Sequence, residues 1–365
     1  MDAALGEEKN GTEESLEEAM ENEKRLLVIW PTGRCNLSCK YCYASNRSSE
    51  EMGMDTFRKA LQLMGDHPFK IQFAGGEPLL KKDLLEEMLE YVKAVYPEVS
   101  CAVQTNGTLI DDAFARMVKK YRLAVGVSMD GRPEKNEWLR GKTNAAADGV
   151  RLLGQYGISL NLNTVVTAEN VLQLADMVDL SVYLGNVRGI GLDLLRLSGR
   201  ALETEVHRAA PKDLEKGLYL LKERLDLVNR LLKKPLVVRE FQKASYQLRA
   251  DNPCGEYCFA SLGHSFVVLP NGACYPCGSL AGEEKYYMGN VHTAVSPIRI
   301  NAVRPQQCSS CKYRNVCSGG CPSRGLLYGG FYELDCLMKK ITFQFAAAAK
   351  KEEWIHYEKL PDLAE

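Results

Sequence analysis

The chain has 365 residues, 25% of them charged, with 46 Lys and Arg set against 47 Asp and Glu. A net charge of -1 argues against a surface built for nucleic acid or for membranes. No apolar run reaches the length of a membrane span and no apolar signal core opens the chain, so a cytoplasmic protein is expected.

Residues 1–24 hold nine acidic side chains and two lysines, the composition of a flexible acidic tail. From Arg25 apolar strand-like runs at 26–30, 70–74, 100–104, 123–128, 158–166 and 189–195 alternate with helix candidates. Those helices are expected over 54–65, 81–95, 111–120, 143–156 and 168–181. Six such βα steps predict an α/β fold, a partial (β/α)6 TIM-like barrel short of the eight units of a closed one. This core covers 25–205, a helical bridge covers 206–249, a cysteine-rich segment covers 250–340, and a closing helix covers 341–365. Around Pro270-Asn271-Gly272 the segment carries a hairpin signal.

In folds of this class the chemistry sits at the carboxyl ends of the strands. The polar and glycine motifs fall there: a loop from Pro31 to Cys42 after the first strand, Gly75-Gly76-Glu77-Pro78 after the second, Asn106-Gly107 after the third, and Ser128-Met129-Asp130-Gly131 after the fourth.

Thirteen cysteines without a secretion signal argue for metal rather than disulfides. Cys35, Cys39 and Cys42 form C-x3-C-x2-C, Cys101 stands alone, and nine more lie between Cys254 and Cys336. Three thiolates on one loop can hold three corners of a cubic [4Fe–4S] cluster, leaving one iron open, whereas an electron-transfer cluster takes four. Structural zinc also needs four ligands, and the first histidine after the triplet is His67. Cys101, at the start of a strand, reads as a buried thiol.

The triplet, with Tyr41 beside Cys42 and Gly75-Gly76-Glu77-Pro78 following, resembles the radical S-adenosylmethionine (radical SAM) superfamily over roughly 26–200. The resemblance implies that Cys35, Cys39 and Cys42 bind a [4Fe–4S] cluster whose open iron chelates S-adenosylmethionine. Reductive cleavage then gives a 5′-deoxyadenosyl radical that takes a hydrogen atom from the substrate. It further implies cofactor contacts at Tyr41, at Gly75, Gly76 and Glu77 (together the motif for the methionine amino group), and at Asn106, Ser128 (ribose), Arg140 (methionyl carboxylate) and Leu195 (adenine). The usual Ser-Leu-Asp-Gly…His-Asp-x-x-Arg stretch departs from the pattern at Asn136 and Glu137.

The spacing Cys258-x13-Gly272-x4-Cys277, Cys308-x2-Cys311-x5-Cys317-x3-Cys321, then Cys336, resembles the seven-cysteine SPASM domain of related peptide- and protein-modifying maturases. By that resemblance two auxiliary [4Fe–4S] clusters are implied, one on Cys258, Cys277 and Cys321 and one on Cys308, Cys311, Cys317 and Cys336. Cys254 or Cys274 would complete the first set, with Cys254 preferred; if neither ligates, that cluster has an open iron able to bind substrate. Two interleaved zinc sites are the alternative for this segment.

The implied function is modification of a peptide or protein, by cross-linking or oxidation, with electrons from a flavodoxin- or ferredoxin-type donor. Alternatives are a radical enzyme acting on a small molecule or maturing another metalloenzyme, and a non-enzymatic iron–sulfur or zinc protein. Sulfatase maturases carry an aspartate after the cysteine of the G-x4-C element, where this chain has Gly278. No N-terminal peptide-binding domain is expected, since 25 residues precede the first strand. Asp130, Asp193 and Asp335 are candidate catalytic bases among which spacing does not choose.

Overall fold

The computed structural model describes residues 24–44, 49–249 and 257–349. Strands and helices alternate in the order β1 (Arg25–Ile29), α1 (Met54–Gln62), β2 (Phe69–Phe73), α2 (Lys82–Val95), β3 (Ser100–Thr105), α3 (Asp112–Tyr121), β4 (Ala124–Ser128), α4 (Pro133–Leu139), α5 (Thr143–Gln155), β5 (Leu160–Val166), α6 (Asp176–Leu184) and β6 (Val187–Leu194). These six strands pair in sequence order, all parallel. The strand runs read from the sequence overlap all six.

Side-chain alternation explains the placement of the cavity. In β5, Leu160, Leu162, Thr164 and Val166 are buried while Asn161, Asn163 and Val165 are half-buried. In β2, Phe69, Ile71 and Phe73 are buried and Gln72 is half-buried. A parallel sheet covered on both faces reads as continuous apolar runs; this alternation leaves one face packed on helices and the other lining a cavity with polar side chains among apolar ones.

Helix α4 was not foreseen; Pro133 at its first turn is preset for helix and needs no hydrogen-bond acceptor there. The helix expected over 168–181 begins only at Asp176. Asn170 accepts from Thr167 N–H at 2.9 Å and donates to Val165 O at 2.9 Å, which holds the chain in a turn instead.

Beyond the core come α7 (Pro211–Asn229), β7 (Val237–Val238) and α8 (Arg239–Arg249). The bridge is therefore not helical throughout. Pro235 breaks the helical run, and the β-branched pair Val237 and Val238 joins β6 in parallel. A short helix α9 (Phe259–Leu262) precedes β8 (Ser265–Val268), β9 (Ala273–Tyr275) and β10 (Gly289–Asn290). β8 pairs in parallel with β1, and β9 and β10 continue antiparallel, so one open ten-stranded sheet runs β10-β9-β8-β1-β2-β3-β4-β5-β6-β7. The β8–β9 turn has Gly272 at φ +84°, a conformation that glycine adopts without strain. Helices α10 (Pro322–Leu327) and α11 (Glu333–Ala348) end the described residues. The closing helix thus starts before 341, and its Phe345 packs edge-on against Tyr219 and Phe241 at 5.0 and 5.2 Å. Among the described residues no helix is long and apolar enough to cross a membrane.

Candidate active site

Cys35, Cys39 and Cys42 line a cavity of about 650 Å³ against the sheet. Their loop is held in place from the far side of the core. Arg200 donates to Cys39 O at 3.0 Å, its N–H to Cys42 O at 3.0 Å, and Thr204 Oγ1 to Lys40 O at 2.8 Å. Burial pushes the Cys35 and Cys39 thiols up, and the neighbouring thiols add to the rise.

The Gly75-Gly76-Glu77 turn buttresses the same loop. Gly76 N–H donates to Thr32 O at 3.1 Å and Glu77 N–H to Arg34 O at 2.8 Å. A methyl group on Gly76 would lie 2.0 Å from Arg34 O, so only glycine lets the two backbones approach this closely. Glu77 is buried, accepting from Leu79 N–H at 3.0 Å, Thr105 Oγ1 at 2.6 Å and Asn106 N–H at 2.7 Å. Burial raises its carboxyl above the ordinary glutamate value against the pull of those donors. Asn106 Nδ2 donates to Asn36 Oδ1 at 2.9 Å and lies 3.9 Å from Cys35 Sγ.

Arg140 and Tyr41 reach the cavity from one side. The Tyr41 hydroxyl sits between Arg140, which donates to it, and Asp130, which accepts from it. Asp130 also accepts from Thr164 Oγ1 at 3.2 Å and Val165 N–H at 2.9 Å, and it lies 3.7 Å from Arg140. Asp130 is 1% exposed and lies behind the cavity lining, tying β4 to β5.

A row of polar side chains crosses the cavity wall from Ser128. Gln104 donates to Ser128 Oγ at 2.8 Å, Asn163 donates to Gln104 Oε1 at 2.7 Å, and Arg239 approaches Asn163 Oδ1 at 3.5 Å. Gly126 and Gly191 make room for it, since a methyl there would meet Gln104 at 2.5 Å or Asn163 at 2.3 Å. The sequence reading missed Gln104, Asn163 and Arg239. Its available signal was glycine inside a strand, which marks close approach.

Of the other expected contacts, Leu195 is buried against Cys39, Tyr41 and Leu139, and its neighbour Leu194 lines the cavity. Asp193 lines it too. Burial pushes the Asp193 carboxyl up, but Arg196 and Arg324 outweigh that and hold it below the usual range. Asp335 lies away from the cavity, 1% exposed, paired with buried Arg324 and accepting from Cys321 N–H at 3.1 Å.

The cysteine-rich segment brings two sets of thiols together. The Cys258 thiol is raised by burial and then by Cys321 and Cys277 nearby. Cys336 is likewise raised by burial, countered by Lys340, and raised again by Cys308, Cys317 and Cys311. Cys254 lies outside the described residues. Cys274 is fully buried in the main core, its thiol donating to Gly272 O at 3.6 Å, and burial pushes it up to about 12. Cys101 is also pushed up to about 12 by burial.

Among the described residues no three His, Cys, Asp or Glu side chains stand close enough to hold one metal ion. Three thiols facing one open cavity are the donor set of a [4Fe–4S] cluster with one iron left open.

The Radical SAM superfamily model matches residues 29–181. An uncharacterized protein of Methanocaldococcus jannaschii is 31% identical over 295 residues, 77% of this chain and 93% of that one. A serine-type anaerobic sulfatase-maturating enzyme of Klebsiella aerogenes is 27% identical, over 84% of this chain and 83% of the relative. The fold is also that of native anSMEcpe solved with bound AdoMet and Cp18Cys peptide, with a TM-score of 0.73, 22% identity, and coverage of 88% and 96% of the two chains. The chain belongs to the radical SAM superfamily and is an enzyme. Membership implies a [4Fe–4S] cluster and S-adenosylmethionine.

Proposed function

We propose that this maturase-type radical SAM enzyme modifies a peptide or protein substrate by cross-linking or oxidation. The observation that carries the reading is the single cavity into which the cysteine triplet, the glycine turn, Ser128 and Arg140 all open. In support, the Klebsiella relative matures a sulfatase by its name, and anSMEcpe was solved with a peptide beside AdoMet. When bound, the cluster and S-adenosylmethionine supply a radical able to abstract hydrogen.

The chain's own residues do the rest. Cys35, Cys39 and Cys42 hold three irons. Glu77, fixed by three donors, presents its anionic carboxylate toward the methionine ammonium, and Arg140 presents a cation toward the carboxylate. Ser128, oriented by Gln104, takes the ribose. The cavity walls keep bulk water from the reacting centre. Cys258, Cys277 and Cys321 hold one auxiliary cluster, with Cys254 its fourth ligand, and Cys308, Cys311, Cys317 and Cys336 hold another. A flavodoxin- or ferredoxin-type donor in the cytoplasm supplies electrons.

A small anionic substrate is a second reading, favoured by one observation. Arg188 and Lys234 line the cavity; Arg188 donates only to the carbonyls of Gly185 and Val187, and neither side chain pairs with a carboxylate among the described residues. The test is anaerobic reconstitution and co-expression with candidate peptides. Loaded enzyme should release 5′-deoxyadenosine, and a peptide should lose the mass of two hydrogens by mass spectrometry. Replacing Cys35, Cys39 and Cys42 by alanine should remove about four irons and all cleavage. Cleavage that survives would refute the site. Cleavage with no modified peptide, but turnover of an anionic metabolite, would favour the second reading.

A further inference from the structure

The two auxiliary thiol sets sit in different electrostatic surroundings. Every described cysteine of the first set has a serine hydroxyl at its sulfur: Ser261 at 3.7 Å from Cys258, Ser279 at 3.2 Å from Cys277, and Ser323 at 3.2 Å from Cys321. Against a metal-bound thiolate such a hydroxyl can only donate. Arg196 adds a guanidinium, its charge partly offset by its ion pair with Asp193. Its Nη2 lies 4.0 Å from Cys321 Sγ, and Cys277 is near enough to act on the same guanidinium. In the second set, Cys317 Sγ accepts from Gly319 N–H at 3.4 Å. The cation acting on Cys336 is Lys340, which is exposed and screened by water. Arg196 is 17% exposed, walled by protein.

Hydrogen bonds to sulfur and nearby positive charge both favour the more negative, reduced state of an iron–sulfur cluster, and the effect of charge grows as water is excluded. Both therefore act on the first set more strongly than on the second. We propose that Arg196, with Ser261, Ser279 and Ser323, makes the cluster on Cys258, Cys277 and Cys321 the more easily reduced of the two auxiliary clusters. This rests on the auxiliary-cluster reading above.

Arg196 is a positioning residue held from the cavity side. Asp193 accepts from its guanidinium, and Asp193 in turn is held by Arg324, which also pairs with Asp335. The same guanidinium thus faces the substrate cavity and the first auxiliary set. Tuning there favours passage of an electron out of the cavity toward the first set.

The test is a redox titration of the anaerobically reconstituted holoenzyme, followed by electron paramagnetic resonance and iron analysis. Wild type should show two auxiliary midpoints. Arg196→Gln should lower the higher one and leave the other in place, Arg196→Lys should restore it, and Ser279→Ala should lower it by a smaller amount. Asp193→Asn removes the anion beside the guanidinium and should shift the same midpoint upward. Opposite signs at Arg196 and Asp193 are what a purely structural role would not give. Unmoved midpoints, or a shift confined to the lower one, would overturn the proposal. Should Arg196→Gln lose iron, the lysine and Asp193→Asn variants carry the same sign test. Wild type that binds about four irons rather than about twelve would overturn the auxiliary-cluster reading itself, and the iron count separates that failure from the other.

Discussion

Substituting Gly76 by alanine tests the contact that fixes the cysteine loop. The added methyl would stand 2.0 Å from Arg34 O, 2.5 Å from Arg34 C and 2.6 Å from Gly33 O. All three are backbone atoms, so no side chain can rotate away. Relief requires the loop just before Cys35 to retreat, which stretches the Glu77 N–H to Arg34 O bond now at 2.8 Å. Overpacking costs about 1–3 kcal/mol, and a weakened hydrogen bond about 1 kcal/mol, so the expected loss is about 2–4 kcal/mol. Gly53 is the control. A methyl there meets nothing within 4 Å and its φ is -86°, so Gly53→Ala should stay within about 1 kcal/mol of wild type. Urea unfolding measures the stability, and iron content after reconstitution measures the loop. If Gly76→Ala unfolds with the Gly53→Ala midpoint and keeps its iron, the close approach does not organise the site.

Three further outcomes follow from the geometry. Because burial raises the Glu77 carboxyl, S-adenosylmethionine affinity should fall as pH is lowered, starting above the ordinary glutamate range as the anion proposed to face the ammonium is lost. Glu77→Gln should bind weakly at neutral pH without that dependence, as calorimetry across pH can check; flat wild-type binding would refute it. Tyr41→Phe deletes the hydroxyl between buried Asp130 and Arg140 and should cost about 1–3 kcal/mol in urea unfolding. Cys274→Ala should keep the full iron content while losing some stability, since its thiol packs in the main core, and a loss of iron would make it a ligand.

The parallel core and the gathering of the glycine turn, Asn106 and Ser128 at one end of it were legible because each leaves a local mark. Strands alternate in period two, and motifs follow strands. What escaped the sequence depends on distant partners. Arg239 looks like an ordinary charge at the start of α8, and only the strand β7 before it turns that end toward Asn163. Asp130 follows the fourth strand as a catalytic carboxylate might, yet three donors, Tyr41, Thr164 and Val165, and the Arg140 guanidinium engage it from three segments. The helix over 168–181 failed at its start because one Asn side chain outcompeted the backbone. Leu195 and Leu194 differ by one position, and an alternating strand sends neighbours to opposite faces.

The pairing of β8 with β1 reaches beyond hydrogen bonding. Val28 and Trp30 share a buried cluster with Val267, Ala273, Tyr275 and Ala281 from the cysteine-rich segment. A chain cut before that segment would bare the whole β1 edge and an apolar face at once, the combination that invites strands of other molecules to add on. The core therefore relies on its partner segment as a guard against aggregation. Loss of the clusters proposed for the cysteine-rich part is then expected to threaten solubility as well as the proposed electron transfer.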